Sequence, residues 1–139
     1  MWRVLDGEAG DIINEGMTKY GITPLAWYDA GARSFYNSKK PIMKPEDVSG
    51  MKVRVMNNDL YSGMISALGG NPSPMAFAEV YGALQTGVVD GQENTWSNIY
   101  TKKFFEVQDS TTETNHQALA YLFMTSTDFL DSLKPDVRE

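Results

Sequence analysis

The chain has 139 residues and a formal charge of −6, from 12 basic and 18 acidic side chains. With 42% hydrophobic and 22% charged residues, it has the composition of a globular protein of one domain, or of part of a two-lobed one. Its basic residues form no cluster, which disfavours nucleic acid as a partner because phosphate binding requires concentrated positive charge. Cysteine is absent, which excludes disulfides, thiol catalysis and thiolate metal sites.

The first part of the chain predicts a helix followed by two extended segments. Apolar residues recur at roughly helical spacing over residues 1–20, and Gly21 ends that helix. A strand is expected over 22–28, a turn over 29–33 and a second extended segment over 33–37. The opening residues lack the apolar stretch of a signal peptide, and the last ones resemble the start of a helix, so the chain is expected to be part of a longer protein.

From residue 45 onward, predicted strands and helices alternate. The expected elements are a helical turn at 45–50, a strand at 52–56, a helix capped by Asn57 or Asn58, a helix at 77–86, a strand at 88–90, a helix at 94–105 capped by Asn94, strands at 110–115 and 119–125, and a helix capped by Ser126 or Thr127. This order predicts an α/β unit.

Two polar side chains of this unit indicate an anion site. Alternation places Arg54 on the face opposite its neighbours Val53 and Val55, where it either pairs with an Asp or Glu or is available to a ligand. A guanidinium can donate two parallel hydrogen bonds to a carboxylate, which lysine cannot do. Asn94, as a helix cap, would lie beside N–H groups that favour an anion. The hypothesis is a carboxylate held between Arg54 and Asn94.

Several motifs occur in the order typical of one family. They are Gly50-Met-Lys-Val-Arg-Val, Ala67-Leu-Gly-Gly-Asn-Pro, the run from Pro74-Met-Ala-Phe-Ala-Glu to Gly91-Gln-Glu-Asn, Phe104-Phe-Glu-Val-Gln, Thr114-Asn-His and Ser132-Leu-Lys-Pro. In these motifs the chain resembles the solute-binding proteins of tripartite ATP-independent periplasmic (TRAP) transporters of the DctP type. The run that follows Gln92 is similar to the branch that carries C4-dicarboxylates.

The resemblance implies an α/β fold of the periplasmic binding protein type II kind, with one lobe, hinge strands and part of the other lobe. Residues 1–50 would be the end of the first lobe and a hinge crossing, 51–116 the second-lobe α/β unit, and 117–139 the return strand and the start of first-lobe helices. Family members are longer and carry an earlier lobe. The apolar surface that this lobe would cover leads us to expect that the chain alone forms a homodimer or exchanges strands.

The resemblance also implies a function. The protein would be a periplasmic component that binds a small organic acid in an interlobe cleft and delivers it to the TRAP membrane permease, with no cofactor, no metal and no covalent chemistry. The implied ligand contacts are Arg54 as the main anchor, Asn94 and Asn57 as polar supports, Arg33 as a second charge, and Phe77 and Trp96 as walls.

Other interpretations remain open at this stage. Arg33 could be a solvated surface charge, Phe77 and Trp96 core residues, and Asn57 only a cap. Asp90 and Glu93 form a close pair of carboxylates, which would suit a hydrolase, although Glu93 could instead orient Arg54 or cap the turn. His116, remote in sequence, is expected to be structural. The chain could also be a ligand-incompetent unit that acts only in assembly.

Overall fold

The structure is a computed structural model that describes residues 1–138, and the chain divides into two compact units. One consists of Met1–Ala30 together with the chain from Ala120 onward, and the other is Gly31–Leu119. Within the described residues, no helix has the length and hydropathy that a membrane crossing requires. The lobe boundaries expected from the sequence stay a prediction.

From residue 45 onward the elements follow the predicted α/β order, whereas the single helix expected over 1–20 is divided into two helices. The elements are α1 Trp2–Leu5, α2 Glu8–Thr18, β1 Ile22–Asn37, β2 Lys52–Val55, α3 Asp59–Ala67, β3 Asn71–Pro74, α4 Val80–Gln85, β4 Gly91–Thr95, α5 Trp96–Thr101, β5 Ser110–Ser126, α6 Thr127–Ser132 and α7 Pro135–Arg138, with single 3-10 turns at Pro45–Val48, Phe77–Glu79 and Phe104–Glu106. One sheet has the order β3-β2-β4-β1-β5. β2 runs parallel to β3 and β4, and β1 is antiparallel to β4.

Three details of the predicted strands are wrong. The expected turn at 29–33 is part of the single 16-residue strand β1, because Gly31 takes a positive φ of 96° inside the strand without ending it. The segments at 110–115 and 119–125 are likewise one strand, β5. The expected strand at 88–90 lies instead at Gly91–Thr95, whose polar residues are fully buried and therefore lack the apolar pattern of a central strand.

Side-chain caps begin two of the helices where the sequence predicts them. The Asn58 side chain accepts a hydrogen bond from the Tyr61 N–H at 3.0 Å at the start of α3. Ser126 accepts one from the Phe129 N–H at 3.1 Å at the start of α6. Of the two candidates at each position, Asn58 and Ser126 are the caps.

In the unit Gly31–Leu119, apolar layers cover both faces of the sheet. The first cluster is formed by Phe35, Ile42, Val48, Met51, Val53, Val55, Tyr61 and Ile65, and the second by Tyr36, Val80, Leu84, Val89, Ile99 and Phe104. Because consecutive residues of a strand point to opposite faces, Phe35 and Tyr36 belong to different clusters. These two apolar layers enclose β2 and β4 and hold the buried charged residues of these strands in place.

Gly91 sets the approach of β4 to β1. A Cβ built there would lie 2.4 Å from the Tyr36 carbonyl oxygen and 2.5 Å from the Asn37 Cβ.

We predict that Gly91→Ala lowers the free energy of unfolding by about 3 kcal/mol, because the backbone of β1 must move. The matched control, Gly82→Ala in α4, has open space around the added methyl and should raise it by about 0.5–1 kcal/mol. Urea unfolding followed by circular dichroism measures both. Equal stability of Gly91→Ala and wild type would contradict the close pairing of β1 and β4.

Candidate functional site

Two parallel strands bring the predicted anion ligands to one edge of the sheet. β2 and β4 run in the same direction, and their register places Arg54 opposite Gln92. Asn94 is two residues further along β4, so it lies on the same face as Gln92 and diagonally across from Arg54. The carboxyl ends of parallel strands are where open α/β sheets bind ligands. The juxtaposition of Arg54 and Asn94 therefore occurs at the type of edge where a site is expected.

Arg54 is buried and is held by a main-chain oxygen and an aromatic ring. Only 2% of its surface is exposed. Its Nε and Nη2 donate to the Met75 carbonyl oxygen at 3.3 and 2.9 Å, and its guanidinium carbon is 5.6 Å from the centre of the Phe77 ring. Burial lowers the pKa of Arg54, and the nearby Tyr36 and Glu93 offset only part of that effect. An arginine stays protonated even so, and a fixed positive charge is therefore enclosed at this edge.

No acidic side chain neutralises this charge directly. Among residues 1–138, every ion pair involves other groups, and no carboxylate lies within salt-bridge distance of Arg54. A buried cation without an acidic partner is unfavourable, since desolvation is not compensated by a close counter-charge. Arg54 is therefore suited to an anion that arrives from outside the chain.

Asn94 presents hydrogen-bond donors at the same edge. Its Oδ1 accepts from the Thr95 N–H at 2.9 Å and from Asn98 Nδ2 at 2.7 Å. Those two bonds fix the orientation of the amide, so that its NH₂ group is left to donate. The predicted N-cap role is wrong, because Thr95 occupies the cap position of α5 and Asn94 is a residue of β4. The donor group of Asn94 is nevertheless on the face that carries Arg54.

Arg33 belongs to the opposite face and already has a carboxylate. Its Nε and Nη2 donate to the two carboxylate oxygens of Glu93, Nη2 to Oε1 at 2.7 Å, and Nη2 also donates to the Glu93 carbonyl at 2.9 Å. Its guanidinium carbon is 5.1 Å from the centre of the Tyr61 ring, within the first apolar cluster. The alternative of a solvated surface charge is wrong, since Arg33 is only 1% exposed. A contact between Arg33 and ligand stays a prediction.

His116, which is partly exposed, also contacts the buried Glu93. Its Nε2 is 3.3 Å from Glu93 Oε2, its Nδ1 is 2.8 Å from Thr114 Oγ1, and its ring lies 4.8 Å from that of Phe35. Burial alone would raise the pKa of Glu93, but the hydrogen bonds and charges of Arg33 and His116 lower it below its ordinary value. The expectation that Glu93 orients Arg54 is therefore wrong, because both of its carboxylate oxygens bind other groups.

The remaining predicted contacts differ in how close they lie to Arg54. Phe77 is half-buried, and its ring also lies 5.7 Å from Lys102 Nζ and packs edge-on against Phe104. Trp96 is 47% exposed and begins α5, directly after β4. Asn57 is exposed, and the cap of α3 is its neighbour. Phe77 is the one of the three whose ring is shown beside Arg54, and the ligand contacts of all three stay predictions.

Sequence reasoning overlooked Gln92 and Tyr36. Both are buried, and the register aligns them with Arg54 across three adjacent strands. Gln92 alternates with Asn94, so the correct bounds of β4 would have placed the two on one face. No local signal in the sequence marks a five-residue polar segment as a central strand.

Asp90 and Glu93 do not act as a pair in this structure. Asp90 accepts a hydrogen bond from the Lys52 N–H at 2.9 Å and lies 3.3 Å from Lys39 Nζ. Glu93 is occupied by Arg33 and His116. A general acid and base that cooperate on one bond need a shared substrate position, and these contacts give the hydrolase alternative no support.

The lowered pKa of Glu93 predicts how stability depends on pH. A carboxylate whose pKa is lower in the folded state stabilises the fold fully above its ordinary pKa, and that contribution is lost as the pH falls from about 4.5 through the folded-state value. We predict that Glu93→Gln flattens this acid decrease and lowers stability at neutral pH by about 3 kcal/mol, because Arg33 is left buried without its partner. The urea midpoint between about pH 3 and pH 7 measures this. Glu79→Gln, at an exposed carboxylate, is the control, and parallel acid profiles for Glu93→Gln and wild type would contradict the assignment.

Comparison with known proteins gives one consistent result. Residues 1–139 match the DctP family, described as bacterial extracellular solute-binding protein, family 7. The chain is 48% identical over 130 residues to the C4-dicarboxylate-binding periplasmic protein DctP of Vibrio cholerae. The matched region is 94% of this chain and 39% of that protein.

Solved structures agree in fold. A TRAP periplasmic solute-binding protein from Roseobacter denitrificans with bound β-D-glucuronate is 56% identical, with a TM-score of 0.94 over 99% of this chain and 46% of its own. One from Sulfurospirillum deleyianum with bound succinate is 44% identical, with a TM-score of 0.93 over 99% of this chain and 44% of its own. The chain thus spans less than half the length of these relatives. It belongs to the DctP family, that of the TRAP periplasmic solute-binding proteins.

Proposed function

We propose that the protein is the periplasmic solute-binding component of a TRAP transporter and that it binds a small organic acid through Arg54. The observation that carries this proposal is the buried guanidinium of Arg54, which lies at the carboxyl edge of β2 and β4 with no acidic partner among residues 1–138. The names of the relatives support the transport role and the periplasmic location. Delivery of the acid to the membrane permease is part of the proposal.

The donor groups at this edge suit a carboxylate. Met75 and Phe77 hold one side of the Arg54 guanidinium, which leaves Nη1 and the second N–H of Nη2 for a ligand. The NH₂ group of Asn94, on the same face of the sheet, is left to donate because its Oδ1 is already bonded twice. An ionised carboxylate only accepts hydrogen bonds, so it complements both groups. Charge-assisted bonds of this kind contribute about 1.5–3 kcal/mol each. Binding would be reversible and would involve no covalent step.

Two classes of acid are candidates for the ligand. The sequence motifs and the Vibrio cholerae relative favour a C4-dicarboxylate such as succinate. The relative from Roseobacter denitrificans, which is more similar in sequence, holds β-D-glucuronate. Both acids carry a carboxylate that an arginine can bind, and they differ at the other end, where one has a second carboxylate and the other several hydroxyl groups. We therefore propose the same anchor for either class.

The role of Arg54 as the anchor can be tested on the full-length protein by isothermal titration calorimetry, which measures its affinity for succinate, malate, fumarate, D-glucuronate and D-galacturonate. We predict that Arg54→Lys weakens binding of the best acid by about 10- to 100-fold, because lysine loses the paired donors.

Arg33→Lys is the matched control, since it makes the same change at the buried arginine of the opposite face. It should lower the melting temperature and change the affinity less than Arg54→Lys does. An unchanged affinity of Arg54→Lys would contradict the proposed anchor, and a larger loss for Arg33→Lys would assign the main charge to Arg33.

Self-association is the further property proposed for the 139-residue chain on its own. In its first unit, Gly10 is the one fully buried residue among those described. Exposed apolar side chains of this unit include Val4, Ile12, Tyr20, Leu25, Tyr28, Phe123 and Phe129. The number of these exposed apolar side chains is the ground for proposing association. We predict a homodimer by sedimentation velocity at high micromolar concentration, weakened by the double substitution Ile12→Glu and Phe123→Glu. A monomer under these conditions would contradict the prediction.

A further inference from the structure

Three buried polar side chains form a row across the sheet beside the proposed anion site. The register pairs Arg54 of β2 with Gln92 of β4, and Gln92 with Tyr36 of β1. Residues that are directly opposite on neighbouring strands project to the same side, with Cβ atoms about 5 Å apart. Arg54, Gln92 and Tyr36 are 2%, 0% and 1% exposed. The row thus begins at the proposed anchor and continues into the protein interior.

The far part of this row has polar atoms that no described group satisfies. Both amide atoms of Gln92 and the hydroxyl of Tyr36 are enclosed, and among residues 1–138 none of them forms a hydrogen bond. The ring of Tyr36 packs in the second apolar cluster, 6.0 Å from the ring of Phe104. Burial raises the pKa of Tyr36, so its hydroxyl stays protonated and can both donate and accept. An enclosed amide without partners destabilises a fold, and a leucine or methionine would fill similar space without that cost.

The donor groups of Arg54 that Met75 leaves over can be compared with the acceptor that Gln92 offers. Met75 accepts from Nε and from one N–H of Nη2, which leaves the second N–H of Nη2 and both N–H groups of Nη1 as donors. Nη1 carries two N–H groups, and a ligand carboxylate that binds one of them leaves the other to be satisfied from the protein. Gln92 is the cross-strand neighbour of Arg54 and offers an acceptor oxygen on a flexible side chain.

We propose that Gln92 is a positioning residue for the anchor Arg54. When the acid binds, Gln92 Oε1 accepts a hydrogen bond from Nη1 of Arg54, and Gln92 Nε2 donates to the hydroxyl of Tyr36. The guanidinium is then held from both sides, by Met75 and by Gln92, and its outward N–H groups point at the ligand. This inference rests on the proposed function, because it concerns the same anchor.

The test uses the full-length protein and the acid that wild type binds best, with affinity and melting temperature measured for each variant. Gln92→Leu removes the unsatisfied amide, so we expect its melting temperature to equal or exceed that of wild type. Its affinity should fall about tenfold, because one charge-assisted hydrogen bond to Arg54 is lost. Gln85→Leu, the same change at an exposed position of α4, is the matched control and should leave the affinity unchanged. If Gln92→Leu does not fold, Gln92→Met makes the same test with an unbranched side chain.

Two further variants separate positioning from a plain structural role. Gln92→Glu places a carboxylate beside Arg54, where it competes with the ligand, so its affinity should fall further than that of Gln92→Leu. In the double variant Arg54→Lys with Gln92→Leu, the loss of affinity should be smaller than the product of the two single losses, because Gln92 acts through Arg54.

The outcomes are distinct for this inference and for the proposed function. Unchanged affinity in Gln92→Leu, or losses that multiply in the double variant, would overturn the positioning role while wild type still binds its acid. A wild-type protein that binds none of the acids overturns the proposed function and this inference with it.

Discussion

The insertion of a polar strand into the centre of the sheet is the constraint on which the site depends. β4 pairs with β2 on one side and with β1 on the other, and Gly91 permits the close approach to β1. Because side chains alternate, this strand sends Gln92 and Asn94 to one face and Glu93 to the other. Five buried residues with no aliphatic side chain among them cannot be held by the hydrophobic effect alone. They require partners on both faces: Arg33 of β1 binds Glu93, whereas the Gln92 amide has no partner among the described residues, although Arg54 of β2 is its cross-strand neighbour.

The positive charges of the two buried arginines are compensated in different ways. Arg33 is neutralised within the protein by Glu93 and lies near the ring of Tyr61, so its contribution is to join β1 to β4. Arg54 has an equivalent aromatic neighbour in Phe77, but its oxygen partner is a main-chain carbonyl. A carbonyl dipole compensates a full charge only in part, and the difference shows in the opposite directions of the two pKa values, raised for Arg33 and lowered for Arg54. That asymmetry separates a structural ion pair from a position that can accept a carboxylate.

Sequence patterns predicted much of the fold and some of the site. The alternation of strands and helices, the caps at Asn58 and Ser126, and the face of Arg54 opposite its valine neighbours all follow from local rules. The errors have one origin, which is tertiary pairing. The turn predicted over 29–33 lies inside β1, and Asn94, predicted to cap a helix, lies in β4. The partner of Glu93 could not be predicted either, since Arg33 is 60 residues away and only the β1–β4 register brings the two together.

The buried polar row suggests why this edge is not built for maximum stability. An aliphatic residue in place of Gln92 would pack against the second apolar cluster. A phenylalanine in place of Tyr36 would leave the ring packing with Phe104 intact. Both changes would remove enclosed polar atoms that now lack partners among the described residues. The same changes would remove the groups that can share the charge of Arg54 when a carboxylate binds. Polar atoms that are unsatisfied without ligand and satisfied with it raise the free energy of the unbound state relative to the bound one. In the proposed complex, satisfying these polar atoms would add to the affinity for the acid, so that stability and binding at this edge would oppose each other.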